Sequence, residues 1–204
     1  DTHAHLFSCK RDLSDIIKTA ESAGISGIIN VGLNIDTGLT ALAQHDLYPM
    51  TYPTIGYYPS NAGKAVDLDR LKQLLQDHPF KAVGEIGLDY YHDYASAEDQ
   101  RHLFEAQLQI AQDLDLPAII HNREADDDML AVFKNFPTVQ KVFHCYASAP
   151  EFATQQLAIN DTTMFSFTGM ITYSKKGKTI STIKALPLDL SLIHISEPTR
   201  RDQI

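Results

Sequence analysis

The sequence predicts an α/β protein of the (β/α)8 barrel class, the TIM barrel, with its last βα unit missing. Short β-rich runs alternate with helix-patterned runs along the chain, an order typical of parallel sheets. Seven such units favour a closed barrel over an open, doubly wound sheet, and no glycine-rich phosphate-binding motif follows the early runs. The chain has 204 residues. A complete barrel has about 250, so the difference corresponds to about one unit.

The predicted strands are short apolar or β-branched runs bounded by turn residues. Residues 1–5 form a truncated first strand. Six further strands follow at residues 26–31, 50–56, 81–87, 116–121, 141–146 and 163–168.

The predicted helices fill the gaps between these strands. In residues 67–77, leucines recur at helical spacing after Asp67, a candidate N-cap. In residues 98–114, apolar residues line one helical face, and Ser96 is the candidate N-cap. Further helices are predicted at residues 12–23, 36–45, 124–135 and 150–159.

The composition is that of a globular chain, with 44% hydrophobic and 21% charged residues and a formal net charge of -9. This acidic balance argues against a broad basic surface for duplex nucleic acid, but it is compatible with nucleic acid held locally by metal ions. Two cysteines, Cys9 and Cys145, make no disulfide framework and suit a reducing compartment. No apolar run has the length of a membrane span, so we expect a cytoplasmic protein with no membrane contact.

Four histidines and one glutamate stand at the ends of predicted strands, where barrel enzymes place their chemistry. His3 and His5 share one face of the opening strand because side chains alternate along a strand. Glu85, His121 and His144 each follow an apolar run. Such a set is typical of a hydrolytic site for two divalent cations, which a carboxylate can bridge through its two oxygens. We predict that these five residues bind two divalent ions, for which the four histidines favour Zn²⁺, Mn²⁺ or iron, and that Glu85 is catalytic.

Each of these residues has another interpretation when it is taken alone. His121 is compatible with a hydrogen-bonded core histidine, and Glu85 with a carboxylate on a surface loop. His144 and Cys145 suggest a thiol–imidazole pair, but adjacent strand residues face opposite ways. The agreement of four strand ends is what favours the metal centre.

Arg123 and Tyr58 are predicted to contact the substrate. Arg123 is two residues after His121, so it faces the same side of the strand and lies closer to the barrel mouth. A guanidinium at this position would bind phosphate. The alternative is a salt bridge at the rim with Glu124 or a nearby aspartate. Tyr58 belongs to an aromatic loop after residues 50–56, for which ordinary loop packing is the alternative.

The loop after Glu85 contributes a third predicted substrate contact, Asp89. Together with Tyr90, it would either orient metal ligands or stack a base. His92, in the same loop, is predicted to be solvated.

Five sequence blocks carry a family signature. They are D-T-H-A-H at residues 1–5, V-G-E-I-G-L-D-Y-Y at 83–91, H-N-R-E-A at 121–125, F-H-C-Y at 143–146 and F-S-F-T-G-M-I-T-Y at 165–173. Together they resemble the TatD family of metal-dependent deoxyribonucleases. The resemblance implies a metal-dependent hydrolase barrel that hydrolyses DNA, usually from the 3′ end and commonly with Mg²⁺, so that Mg²⁺, Mn²⁺ and Zn²⁺ are all candidate ions. It also implies that His3 and His5 are the first metal pair, Glu85 the shared carboxylate, and His121 and His144 the remaining imidazole ligands.

The chain departs from this family at two places. Tyr58-Pro59 stands where relatives usually have a histidine before a proline, which changes a substrate-side contact. The family also carries an E-T-D stretch on its last strand, and the aspartate of that stretch is a metal ligand. This chain instead reads L-S-L-I-H-I-S-E-P-T-R-R-D-Q-I from residue 190.

We therefore expect residues 1–189 to form the partial barrel and residues 190–204 to be a non-native tail, such as translated adapter or vector sequence. Ser196 would occupy roughly the place of the family's aspartate and cannot replace its carboxylate. His194, in the same segment, is not expected to be a ligand.

The predicted function is that of a divalent-metal-dependent phosphodiesterase that acts on DNA as a 3′ exonuclease, with single-stranded DNA or 3′ ends as its partner. The alternative on the same barrel is a C–N or ester hydrolase, in which a carboxylated lysine often bridges the ions. Here the bridging position is Glu85, and no lysine ends a candidate central strand. The alternative from another class is an inactive barrel fragment, because a missing last strand would expose two sheet edges.

Overall fold

Strands and helices alternate throughout the computed structural model of the chain, which describes residues 1–172 and 178–193. The strands are β1 (Ile28–Val31), β2 (Thr51–Thr54), β3 (Val83–Asp89), β4 (Ala118–Arg123), β5 (Lys141–Phe143), β6 (Met164–Phe167) and β7 (Ser191–Ile193). The helices are α1 (Leu13–Ser22), α2 (Ile35–Leu47), α3 (Leu68–Asp77), α4 (Ala97–Asp113), α5 (Asp126–Phe133), α6 (Pro150–Ile159) and α7 (Lys178–Ala185). Within the described residues, no helix is both long and apolar enough to cross a membrane.

The strands form two groups, and within each group every strand pairs in parallel with the next strand of the chain. Hydrogen bonds join β1 to β2 and, as a second group, join β3, β4, β5, β6 and β7 in that order. A parallel bridge from Ile55 to β3 connects the two groups, and another at Ala4 adds the opening segment beside β1. The side-chain oxygens of Thr2 and Ser166 lie 3.4 Å apart, so the opening segment also contacts β6. This sequential arrangement is the one expected for the (β/α)8 class.

Local sequence explains where the helices begin. The Asp67 side chain accepts a hydrogen bond from the backbone amide three residues on, at the start of α3. Ser96 does the same at the start of α4. Each side chain satisfies an amide that has no partner within its helix, so both predicted N-caps are confirmed.

The main hydrophobic core lies between the sheet and helices α3 to α6. A connected series of phenylalanine rings crosses it. Phe104 of α4 contacts Phe133 of α5 with 5.7 Å between ring centroids, and Phe133 contacts Phe143 of β5 at 5.8 Å. Phe143 in turn stacks on Phe165 of β6 at 5.5 Å. These buried rings fix the strands whose carboxyl ends carry the candidate site.

Two predicted elements have boundaries that differ from the observed ones because of left-handed residues. Strand β5 ends at Phe143, three residues earlier than predicted, and Cys145 just beyond it has a φ of 49°. Helix α5 begins at Asp126 rather than at residue 124, because Glu124 has a φ of 56°. Left-handed backbone is compatible with neither strand nor helix, and the sequence gives no glycine to mark it.

Two elements were absent from the sequence prediction, namely α7 and β7. Strand β7 pairs with β6, with Phe165 opposite Ser191, so part of the predicted tail continues the sheet. The non-native origin of residues 190–204 stays a prediction. His194 and Ser196 lie outside the described residues.

A fully buried lysine lies at the start of β5. Lys141 is 0% exposed, and its Nζ donates hydrogen bonds to the carbonyl oxygens of Phe136 and Val139, each at 2.7 Å. Burial lowers the pKa of Lys141 to about 8, because removal from water penalises its charged form.

The pKa of Lys141 predicts how stability depends on pH. An unfolded lysine keeps its proton up to about pH 10.4, so between pH 8 and that value the unfolded state binds more protons than the folded state. The free energy of unfolding should therefore rise across this window, by about 1–3 kcal/mol. Urea unfolding of wild type and Lys141→Met at several pH values isolates this contribution. A stability difference between the two proteins that stays constant from pH 7.5 to 10.5 would contradict the prediction.

Candidate metal centre

The opening segment carries His3 and His5 and is tied to β1. Two backbone hydrogen bonds, of 2.8 and 2.9 Å, join the residue between the histidines to that strand. The buried side chain of Asn30 adds a third link, since its Oδ1 accepts from the Leu6 amide at 3.1 Å. Its Nδ2 donates to Oε1 of Gln44 on α2 at 2.7 Å. The position of both histidines therefore depends on β1 and on the helix behind it.

His3, Glu85 and His144 form a compact group at the carboxyl ends of the strands. Their ligand atoms all lie within 4.8 Å of one another. His3 Nε2 lies 3.3 Å from Glu85 Oε2, and the His3 and His144 rings stack with 3.5 Å between their centroids. His3 and His144 lie far apart in the sequence, and the fold brings them into contact.

His5 faces the same group. Its Nε2 lies 3.2 Å from His3 Nε2 and 3.6 Å from Glu85 Oε2. On its other side, Nδ1 lies 2.7 Å from the carbonyl oxygen of Val31. Because a carbonyl only accepts, this contact assigns the proton to Nδ1 and leaves the Nε2 lone pair toward the group, as in metal-binding histidines.

The two oxygens of Glu85 face different histidines. Oε2 faces His3 and His5, whereas Oε1 lies 3.1 Å from His121 Nδ1. The Glu85 side chain is buried in the middle of β3, which positions it rigidly between the two sets of imidazoles. This is the arrangement that a carboxylate shared by two cations requires.

Electrostatics keep Glu85 and Asp89 in their anionic forms. Burial alone would raise the pKa of Glu85, but His144, His121 and His3 together lower that pKa well below its ordinary value. Burial would likewise raise the pKa of Asp89, and hydrogen bonds from His121 and His92 lower it instead. The site therefore contains buried negative charge beside neighbouring imidazoles that stabilise it.

Asp89 lies behind His121 rather than at the surface. It is 0% exposed, and its Oδ2 lies 3.0 Å from His121 Nε2 and 2.9 Å from His92 Nδ1. Burial lowers the pKa of His121, but Asp89 and Glu85 outweigh this and raise that pKa to about 9. Of the two predicted roles, this position favours the orientation of a ligand, and a substrate contact by Asp89 stays a prediction.

The other two predicted substrate contacts lie at the barrel mouth. The Tyr58 hydroxyl is 3.1 Å from His121 Nε2 and donates to Asp89 Oδ2 at 3.4 Å. Burial and the charges of Glu85 and Asp89 raise the pKa of Tyr58, so it stays protonated. Arg123 is exposed, and its guanidinium carbon lies 3.8 Å from the centroid of the Tyr91 ring. Within the described part of the chain it has no ion pair, so the alternative of a rim salt bridge is not observed.

The loop after Asp89 contains contacts that sequence reasoning missed. His92 was predicted to be solvated, but it lies against Asp89. Its spacing of three residues from that carboxylate was the available signal. Tyr90 is turned away from the mouth, because its hydroxyl donates to Asp128 at 2.7 Å. Of the two adjacent tyrosines, it is Tyr91 that is exposed.

These residues fit a divalent cation. Imidazole nitrogens and carboxylate oxygens are the donors that zinc and manganese accept, and the buried anionic charge calls for a cation. His3, Glu85 and His144 would hold one ion, and His5 and His121 contact the same glutamate. The assignment of all five as ligands, and the number and identity of the ions, stay predictions.

The sequence profile described as TatD related DNase matches residues 1–195. The chain belongs to this family. As a TatD-related protein, it resembles an uncharacterized metal-dependent hydrolase, YabD, from Bacillus subtilis, with 31% identity over 97% of this chain and 79% of the relative. It also resembles the 3′-5′ ssDNA/RNA exonuclease TatD of Erwinia amylovora, with 29% identity over 92% of this chain and 74% of that protein.

Solved structures give the same result for the fold. The crystal structure of the TatD homologue YjjV from Escherichia coli K12 superposes with a TM-score of 0.84 and 30% identity, over 94% of this chain and 76% of that chain. A TatD family hydrolase from Entamoeba histolytica gives a TM-score of 0.79 at 23% identity, over 90% of this chain and 64% of that chain. The predicted barrel class and the predicted family resemblance are confirmed. The chain is a member of a family of metal-dependent hydrolases.

Proposed function

We propose that this TatD-related chain hydrolyses phosphodiester bonds in nucleic acid, as a metal-dependent exonuclease that removes nucleotides from the 3′ end of single-stranded DNA. The observation that carries the proposal is Glu85, whose two oxygens face separate imidazoles in a buried, anionic site. The name of the Erwinia amylovora relative, a 3′-5′ ssDNA/RNA exonuclease, supports the choice of substrate. The cytoplasm is the proposed location, in keeping with only two cysteines in the sequence.

Bound divalent ions would supply Lewis acidity and a water of lowered pKa for attack on phosphorus. The residues around them have separable roles. Glu85 stays deprotonated and presents both oxygens, while Val31 fixes the tautomer of His5. Asp89 holds the ring of His121 in one orientation, which is the usual task of a carboxylate behind a metal-binding histidine.

Two residues at the mouth would bind the phosphoryl group. The Tyr58 hydroxyl remains protonated, and the hydrogen bond that it donates to Asp89 can be redirected to a phosphate oxygen. Arg123 has no described carboxylate partner and keeps its positive charge for the substrate. Both groups would stabilise charge that develops on the phosphoryl oxygens during attack.

The proposal is tested with chelator-treated protein that is reloaded with Mg²⁺, Mn²⁺ or Zn²⁺. A single-stranded oligonucleotide labelled at its 5′ end should give a ladder of progressively shorter labelled fragments, and EDTA should abolish it. A blunt duplex, an anilide and a lactone are assayed in parallel. Hydrolysis of the anilide or lactone without any oligonucleotide product would instead support the C–N or ester hydrolase. Metal binding without turnover of any substrate would support the inactive fragment.

A further inference from the structure

Two exposed tyrosines lie together at the mouth of the candidate metal centre. Tyr91 is 57% exposed and Tyr94 is 39% exposed, and both belong to the loop that follows β3. Among the large hydrophobic side chains that are exposed in the described part of the chain, these two are the aromatic ones. Exposure of apolar ring surface to water is unfavourable, and exposed apolar patches often mark binding sites. Two exposed rings beside a candidate active site therefore point to a ligand.

The tyrosines begin a series of ring contacts that leads to the metal centre. Tyr91 meets His92 edge-on with 4.9 Å between centroids, and His92 stacks on Tyr94 at 4.9 Å with planes 23° apart. Tyr94 contacts Tyr58 at 6.1 Å, and Tyr58 contacts His121 at 4.8 Å. The exposed rings and the candidate ligand are thus two ends of one aromatic surface.

Arg123 adds a positive charge to the outer end of this surface. Its guanidinium covers one face of Tyr91 at 3.8 Å, and the exposure of the tyrosine leaves much of its remaining ring surface to solvent. A guanidinium stacked on a ring keeps its N–H groups in the plane of the guanidinium, available to phosphate. Rings and a cation side by side match the alternating bases and phosphates of a single strand.

The loop is held in place before any ligand binds. Asp89 Oδ1 accepts hydrogen bonds from the amides of Tyr91 and His92, at 3.1 and 3.0 Å. The buried Gln100 side chain donates to the carbonyl oxygens of Asp89 and Ala95, at 3.0 and 3.2 Å. Ordering such a loop on binding would therefore cost little conformational entropy.

From these contacts we infer that Tyr91 and Tyr94 form a stacking wall for the bases of a single-stranded nucleic acid, next to the phosphodiester that enters the metal centre. The inference rests on the proposed function and adds the residues that hold the substrate strand. Stacking is tolerant of base identity, because every base has a π-face, so the wall would select single strands over duplex without reading sequence.

Binding tests the wall separately from hydrolysis. Hydrolysis-resistant phosphorothioate ten-mers, each with one 2-aminopurine, are titrated with the Mn²⁺-loaded protein. Wild type should quench the fluorescence at positions near the 3′ end, as stacked rings do. Tyr91→Leu and Tyr94→Leu should each lose this quenching and bind about tenfold more weakly, whereas Tyr91→Trp should retain it. Leu47→Ala removes an exposed apolar side chain at the end of α2, far along the chain from the loop after β3, so it is the control and should behave as wild type.

Kinetics provide a second measurement. The leucine variants should raise KM for a normal oligonucleotide with little change in kcat. On an oligonucleotide whose last three nucleotides at the 3′ end are abasic, their KM should equal that of wild type, because there is no base to stack. Quenching or KM values that are the same in wild type and both leucine variants would overturn the inference. If wild type quenches the fluorescence and the leucine variants do not, but wild type hydrolyses no nucleic acid, the stacking wall is supported as a binding site and the proposed hydrolysis is wrong.

Discussion

Glu85→Gln is expected to reduce metal-dependent hydrolysis by about a thousandfold or more. Glutamine keeps the shape of the side chain, but it replaces one oxygen by an NH₂ group that cannot bind a cation and removes the negative charge. Because the two oxygens of Glu85 face different imidazoles, the loss affects both sides of the centre. Rates on the single-stranded oligonucleotide and bound metal per chain, measured by mass spectrometry of the digested protein, give the two readouts.

The matched control for this variant is Glu21→Gln, which removes the same charge from an exposed position on α1. It should leave both rate and metal content within about twofold of wild type, since an exposed charge is screened by solvent. Thermal melting shows whether each variant is folded. A folded Glu85→Gln protein that retains full turnover would rule out a bridging role for this carboxylate.

Gly87→Ala is expected to destabilise the fold by about 3 kcal/mol or more. Gly87 has a φ of 146°, a conformation open to glycine almost alone, and it lies opposite His121 in the pairing of β3 with β4. A Cβ at this position would overlap the carbonyl oxygen of His121. The two strands would have to separate at the residue that contacts Glu85, so metal affinity should fall together with stability.

Gly24→Ala distinguishes the cost of a strained backbone from the cost of steric overlap with a neighbouring strand. Gly24 also has a positive φ, of 79°, but a Cβ there would have no heavy atom within 4 Å. Its substitution should cost only about 1 kcal/mol, the usual penalty for a left-handed alanine. Urea unfolding of the two variants measures the difference. Equal losses of stability would mean that the contact with His121 contributes nothing beyond backbone strain.

The convergence of the five histidine and glutamate side chains was predictable because it follows from alternation along strands and from one rule about barrels. His3 and His5 share a face by their spacing, and the carboxyl ends of parallel strands meet at one end of the sheet. The loop after β3 was not predictable in the same way. The opposite orientations of Tyr90 and Tyr91 depend on contacts with Asp128 and Arg123, which are distant in sequence.

The amide pair between Asn30 and Gln44 has a consequence for how this barrel can vary. The opening segment pairs with β1 within the sheet, and α2 belongs to the outer layer, yet one side chain of β1 bonds to both. Helix α2 is therefore not an exchangeable module. A chimaera that imports this helix from a relative would have to import a partner for Asn30 as well, or the two N-terminal imidazoles would lose their register with Glu85.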